Sequence, residues 1–161
     1  MTDLTAAVLT VSDRVSRGEA EDRSGPAAVA RLEAAGFEVV ATEVVPDGVE
    51  SVAEAIRRLA SLAHLVVTSG GTGLAPRDLT PEATSSVIER EAPGFSEAMR
   101  AATFGRNPFG MLSRGVSGIV GSTLVVNLPG SPRGVEESLD VVVGALRHAI
   151  ELLIGSDPDH N

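Results

Sequence analysis

A chain of 161 residues, 43% of them hydrophobic, has the length and apolar content for one domain with a substantial core. Its net charge of −9, from 13 basic against 22 acidic residues, and its 2% of aromatics exclude nucleic acid and anionic membrane as general partners. With no Cys and no Lys, disulfides, thiolate zinc sites, a Cys nucleophile and Schiff-base chemistry are excluded too. The lack of a signal pattern or long apolar span makes a cytoplasmic protein the expectation.

Residues 6–11, AAVLTV, form the first apolar run and read as a buried strand that ends at Ser12 and Asp13. A charged, glycine-containing loop is expected through Arg23. Ser24, Gly25 and Pro26 then open a helix with apolar positions Ala28, Val29 and Leu32, which stops at Gly36. Residues 37–45 read as a second strand, ending at Pro46-Asp47-Gly48. Val49, Val52, Ala53, Ile56 and Leu59 share one helical face, with Glu50, Glu54, Arg57 and Arg58 opposite. The third strand is Leu65-Val66-Val67, rich in β-branched residues.

That strand runs into Thr68, Ser69, Gly70, Gly71, Thr72 and Gly73, where small residues leave backbone N–H groups open to an anion. A branched residue at Gly71 is therefore expected to block the anion while sparing the fold. Asp78 follows, then Thr80 as a helix N-cap, Pro81 at the first helical position and Glu82 at the positive helix end. The loop is not of the Walker type, which needs a Lys, and Pro76 stands where the dinucleotide motif needs its last glycine. A shorter helix over 95–104, a loop over 105–110, and strands over 116–120 and 123–127 come next. Leu128, Pro129 and Gly130 lead to Ser131 as N-cap and Pro132 as first residue of the longest helix, which runs to about residue 154. Its stripe is Val135, Leu139, Val142, Leu146, Ala149 and Leu153. Residues 1–154 are thus expected to form one domain, with 155–161 a frayed polar tail.

Strands alternating with helices predict a three-layer α/β fold, a mostly parallel sheet with helices on both faces. Ligands bind such sheets at the carboxyl ends of the strands. Ser12-Asp13, Pro46-Asp47, the 69–78 segment and the 127–131 segment all follow strand ends. Asp47 and Asp78 are expected on neighbouring strand ends, where they could share Mg²⁺ with substrate phosphates for phosphoryl or nucleotidyl transfer. Each also has a plainer reading, Asp47 as an Asp-Gly turn and Asp78 as a solvated residue near a helix start. Arg133 is either solvated or a phosphate ligand. The three histidines are assigned to neither metal nor catalysis.

Five blocks carry a resemblance: TVSDRVSRGEAEDRSGP (10–26), VPDG (45–48), TSGGTGLAPRDLTPEAT (68–84), MLSRGVSGIVG (111–121) and NLPGSPRGVEE (127–137). Together and in order, over nearly the whole chain, they resemble the molybdopterin adenylyltransferase family, the Mog/MoaB group of molybdenum-cofactor biosynthesis, which is similar to the G domain of gephyrin. The resemblance implies a molybdopterin-binding fold, usually a homotrimer. It implies transfer of AMP from ATP to molybdopterin with release of pyrophosphate, Mg²⁺ as cofactor, and contact with other enzymes of that biosynthesis. It assigns catalysis and metal binding to Asp47 and Asp78. It places substrate at Ser12, Asp13, Ser24 and Gly25, at Thr68 to Gly73, at Arg114, and at Asn127, Pro129, Gly130 and Ser131. Many relatives carry a basic residue where this chain has Ser122, and the 105–110 loop has no counterpart in the resemblance. Two other readings compete: a non-catalytic pterin- or protein-binding module of the same fold, and the nicotinamide-nucleotide amidases, whose chains are much longer. A carboxylate pair beside a phosphate loop favours the enzyme.

Overall fold

A computed structural model describes residues 3–156. The elements in order are β1 (Thr5–Val11), α1 (Asp13–Ser16), α2 (Ser24–Ala34), β2 (Glu38–Val45), α3 (Val49–Ala60), β3 (Leu65–Ser69), α4 (Thr80–Val87), β4 (Arg90–Glu91), α5 (Gly94–Thr103), a 3-10 turn (Pro108–Leu112), β5 (Ser117–Val120), β6 (Thr123–Leu128) and α6 (Pro132–Ile154). One sheet holds all six strands in the order β2-β1-β3-β6-β5-β4. The first four in that order are parallel, and β5 and β4 add an antiparallel edge. This is the expected three-layer α/β fold.

The continuous apolar runs follow from burial on both sheet faces. On one face Ala6, Val8, Leu65, Val67, Leu124 and Val126 pack beneath α2, α5 and α6, meeting Leu32, Met99, Leu139 and Leu146. On the other, Ala7, Leu9, Val66 and Val125 meet Val52, Ile56 and Leu59 of α3 and Ala83 of α4. Alternate residues of one strand therefore serve two cores. Each large side chain buried in them contributes roughly 1.5–3 kcal/mol. Of the expected α6 stripe Val135, Leu139, Val142 and Leu146 are buried, Ala149 and Leu153 are partly buried, and Ile150 is the buried residue of the next turn; Gly155 closes the helix with φ 68°. Ser131 caps it, accepting from the Gly134 N–H at 3.0 Å. Residues 157–161 of the expected tail lie outside the described residues.

Several local expectations need correction. The segment after β1, read as a loop, starts with the short helix α1, capped by the Ser12 hydroxyl, which accepts from the Val15 N–H at 3.2 Å. The 105–110 loop passes into the 3-10 turn, whose cap is Asn107. The two-residue strand β4 was not anticipated. Thr80 is not an N-cap: it is the first residue of α4, fully buried, and its hydroxyl donates to the Gly70 carbonyl at 2.9 Å. Asp47 and Asp78 do not follow neighbouring strands, because β1 lies between β2 and β3.

Candidate active site

β1, β2, β3 and β6 end on the same sheet edge, so their four following segments meet there. At the centre is the loop after β3. Gly70 and Gly71 have φ of +102° and +69°, a region that disfavours residues with a Cβ. A Cβ at Gly70 would overlap the Val11 carbonyl oxygen, and one at Gly71 would overlap the Thr80 hydroxyl. A branched residue at Gly71 would therefore disrupt the loop itself, contrary to the expectation that the fold would be spared.

The loop's carbonyls are all engaged. Thr80 takes those of Gly70 and Gly71, the latter through its N–H at 3.1 Å. The Arg114 backbone N–H donates to the Thr72 carbonyl at 2.8 Å, and its guanidinium donates to the carbonyls of Gly73 (2.8 Å) and Asp78 (2.6 Å). The same guanidinium pairs with Glu82 and holds that carboxyl below its ordinary pKa. The N–H groups of Gly71, Thr72 and Gly73, by contrast, donate to nothing among the described residues. Carbonyls turned away and amides left open make a concave donor surface suited to an anion.

Three carboxylates border this surface. The Asp47 Oδ2 accepts from the Asp13 N–H at 2.9 Å, and the Asp13 Oδ1 accepts from the Asp47 N–H at 3.2 Å. Arg77 locks the pair, donating to the Asp13 carboxylate and, at 2.9 Å, to the Asp47 carbonyl. Arg77 holds Asp13 below its ordinary pKa. Burial pushes Asp47 upward, and the negative charges of Asp13 and Asp78 add to the push. The Asp47 Oδ1 lies 3.1 Å from the point a Cβ on Gly71 would occupy, and the Asp78 Oδ2 lies 2.9 Å from the corresponding point on Gly73. Asp78 Oδ2 also accepts from the Ala75 N–H at 3.0 Å. Both carboxylates thus flank the glycine loop.

Hard oxygen donors crowded by like charge fit Mg²⁺. No group of three or more His, Cys, Asp or Glu able to hold a metal occurs among the described residues. Asp47 and Asp78 supply two carboxylates, a number that suits an ion whose remaining ligands are substrate phosphates and water.

Two cavities of about 400 and 420 Å³ flank the loop, and both are lined by Gly71, Asp78 and Gly130. The first is also lined by Thr72, Gly73, Ser131, Arg106, Phe109 and Glu137. The second is polar and includes Ser12, Asp22, Ser24, Asp47, Ser69 and Gly70. Gly130 packs so that a Cβ there would stand 3.3 Å from the Gly70 Cα, which joins the two loops into one partition.

The remaining sequence-selected residues separate into lining and framework. Thr68 and Ser69 are almost fully buried; Thr68 accepts from the Asn127 amide, and Ser69 donates to the Pro129 carbonyl at 2.9 Å. Asn127 accepts from the Val116 N–H and donates to both Thr68 and Thr84, so its side chain ties β6 to its neighbours. Arg114 likewise directs its hydrogen bonds at the loop. Gly25 sits against Asp22. Asp22 was not selected from the sequence, yet it accepts from the Thr10 hydroxyl and the Gly25 N–H at 2.9 Å each, tying β1 to the start of α2. Arg77 was also missed, although its place beside Asp78 in APRDLT was a signal. Arg106 and Phe109 had no sequence signal, and Glu137 reads from the sequence only as a complement to the helix dipole, although it lies beyond the first turn of α6. Arg133 pairs with Glu137 at 2.8 Å and is 88% exposed. Ser122 lies in the β5–β6 turn at the opposite sheet edge, so the basic residue absent there would not reach this site.

Residues 7–148 match the family model described as a probable molybdopterin binding domain. The chain is 41% identical over 157 residues to gephyrin of Dictyostelium discoideum, covering 91% of this chain but only 22% of that much longer protein. It is 39% identical over 150 residues to the molybdopterin adenylyltransferase of Escherichia coli K12, covering 90% of this chain and 76% of the other. Among solved structures, the molybdopterin biosynthesis enzyme MoaB from Thermus thermophilus superposes with a TM-score of 0.89 at 45% identity, covering 94% of this chain and 97% of that one.

Proposed function

The chain belongs to the molybdopterin-binding domain family, and from that premise we propose that it is a molybdopterin adenylyltransferase, transferring AMP from ATP to molybdopterin with release of pyrophosphate. The observation that carries the reading is the shared partition: Gly71, Asp78 and Gly130 line two cavities at once, with Asp47 facing one of them. A reaction between two phosphorylated molecules needs two chambers that meet at the reacting atoms. The polar chamber of Ser12, Ser24 and Asp47 suits ATP. The other, with Met99, Phe109 and Leu112 in its wall, suits a ring system.

Adenylyl transfer forms a bond to the α-phosphorus and breaks the α–β phosphoanhydride bond, and pyrophosphate leaves. The chain's contribution is positioning and charge neutralisation. The open N–H groups of Gly71, Thr72 and Gly73 receive phosphate oxygens and keep their direction because Arg114 and Thr80 fix the opposite carbonyls. Asp47 and Asp78 would hold Mg²⁺, which supplies neutralisation of the developing phosphate charge when bound. Arg77 and Asp13 position Asp47.

Assembly as a homotrimer, contact with other enzymes of molybdenum-cofactor biosynthesis and a cytoplasmic location belong to the same reading. Exposed Val40 and Val44 on the edge strand β2 support self-association. Among the described residues no helix is long and apolar enough to cross a membrane. Light scattering is expected to report three chains per particle. The decisive assay is pyrophosphate release from ATP in the presence of molybdopterin and Mg²⁺, with each component omitted in turn. Release that does not depend on the pterin would sink the reading.

A further inference from the structure

The cavity wall away from the glycine loop has a composition that phosphate chemistry does not use. Among the described residues lining that cavity, Arg106 is the one cation, and beyond Asp78 the one carboxylate is Glu137. Arg106 ties a single N–H to the Ala102 carbonyl at 3.0 Å, and its terminal nitrogens have no hydrogen bond or ion pair among the described residues. Glu137 lies in the second turn of α6, beyond the Ser131 end of the helix. Its Oε1 accepts from Arg133, and its Oε2 accepts from nothing among the described residues. The Arg133 hydrogen bond holds the Glu137 carboxyl below its ordinary pKa, and the positive charge of Arg106 adds to that. Phe109, in the same wall, is 74% exposed, so its ring face is open to a ligand.

A cation, a carboxylate and an aromatic face on one wall form a defined recognition pattern. A 2-amino-4-oxopyrimidine ring presents two adjacent donors, the ring N–H and the amino group, beside a carbonyl acceptor, all in one plane. A carboxylate accepts from the donor pair, a guanidinium donates to the carbonyl, and an aromatic face covers the ring. Resting on the functional reading above, we propose that Glu137, Arg106 and Phe109 read the pterin head group while its phosphate lies at the glycine loop. Glu137 accepts from the amino edge, Arg106 donates to the ring carbonyl, and Phe109 stacks on the ring. They are specificity residues and take no part in the transfer step. Polar groups matched to an edge reject a ring that lacks it, because a bound ring covers Glu137 and Arg106 and would leave them unpaired.

The test uses two fluorescent probes, a 6-substituted 2-amino-4-oxopteridine phosphate and the matched 2,4-dioxopteridine phosphate, titrated into the full chain. The unmutated protein is expected to prefer the amino compound at least tenfold. Glu137→Gln should remove most of that preference, and Arg106→Met should weaken both probes about tenfold. The KM for ATP should not move in either variant. Arg133→Ala should leave the preference in place, because it frees Glu137 without discharging it. Unchanged preference in Glu137→Gln, with unchanged affinity in Arg106→Met, would overturn the assignment while the adenylyltransferase reading stood. If the unmutated protein binds neither probe, both fall.

Discussion

Replacing Asp78 by Asn removes one negative charge while keeping shape. The Asn carbonyl oxygen can still accept from the Ala75 N–H, which Asp78 does now at 3.0 Å, so the turn into α4 should survive. The electrostatic loss is larger. Two unit charges about 4 Å apart interact by about 4 kcal/mol at an effective dielectric constant of about 20, and a divalent ion doubles the attraction before desolvation is subtracted. A net loss of at least about 2.7 kcal/mol of transition-state stabilisation is expected, or about a hundredfold in rate. Asp47→Asn should behave alike, and the double variant should lose less than the product of the two, because both carboxylates flank one glycine loop and would serve one ion. Steady-state pyrophosphate release with Mg²⁺ titrated measures this, with pterin binding and thermal melting as controls. A folded Asp78→Asn variant that turns over at a near-normal rate would refute the two-carboxylate mechanism.

Asp47 also makes a prediction in pH. Its folded pKa is raised, so the folded state holds its proton longer than the unfolded chain does. That contribution to stability is present below the unfolded pKa and is lost as pH rises through the folded value. In metal-free protein, Asp47→Asn should therefore raise Tm more at pH 7 than at pH 4, and calorimetry at the two pH values decides it. Arg114→Met should lower Tm by roughly 10 °C, since charged hydrogen bonds of about 1.5–3 kcal/mol each are lost from the loop carbonyls; an unchanged melt would show that the loop holds itself. Gly71→Ala and Gly105→Ala share a positive φ, but only the first Cβ meets a neighbour, the Thr80 hydroxyl. Gly105→Ala should cost about 1 kcal/mol and Gly71→Ala clearly more, by denaturant titration.

Short-range chemistry was legible in the chain. The runs 6–11 and 123–127 announced strands because a strand covered on both faces is apolar at most consecutive positions. Ser131-Pro132 announced the start of α6 because capping uses atoms three residues apart. The glycine loop and its two carboxylates stood out for the same reason, a dense local pattern at strand ends. What escaped were pairings between distant segments. Asp13 meets Asp47 across 34 positions, Arg77 meets Asp13 across 64 and Arg114 meets Gly73 across 41. None leaves a period or spacing in the sequence, since each depends on which strand lies beside which. Strand order also separated Asp47 from Asp78 by the width of β1, turned Thr80 from a helix cap into a buried strut for Gly70, and made Asn127 a tie between strands. Arg106, Phe109 and Glu137 share a wall only because the segment after α5 folds beside the second turn of α6. Local backbone and burial preferences act through neighbours in sequence and can be read there; a site wall is a set of contacts, and contacts exist only after the chain has closed.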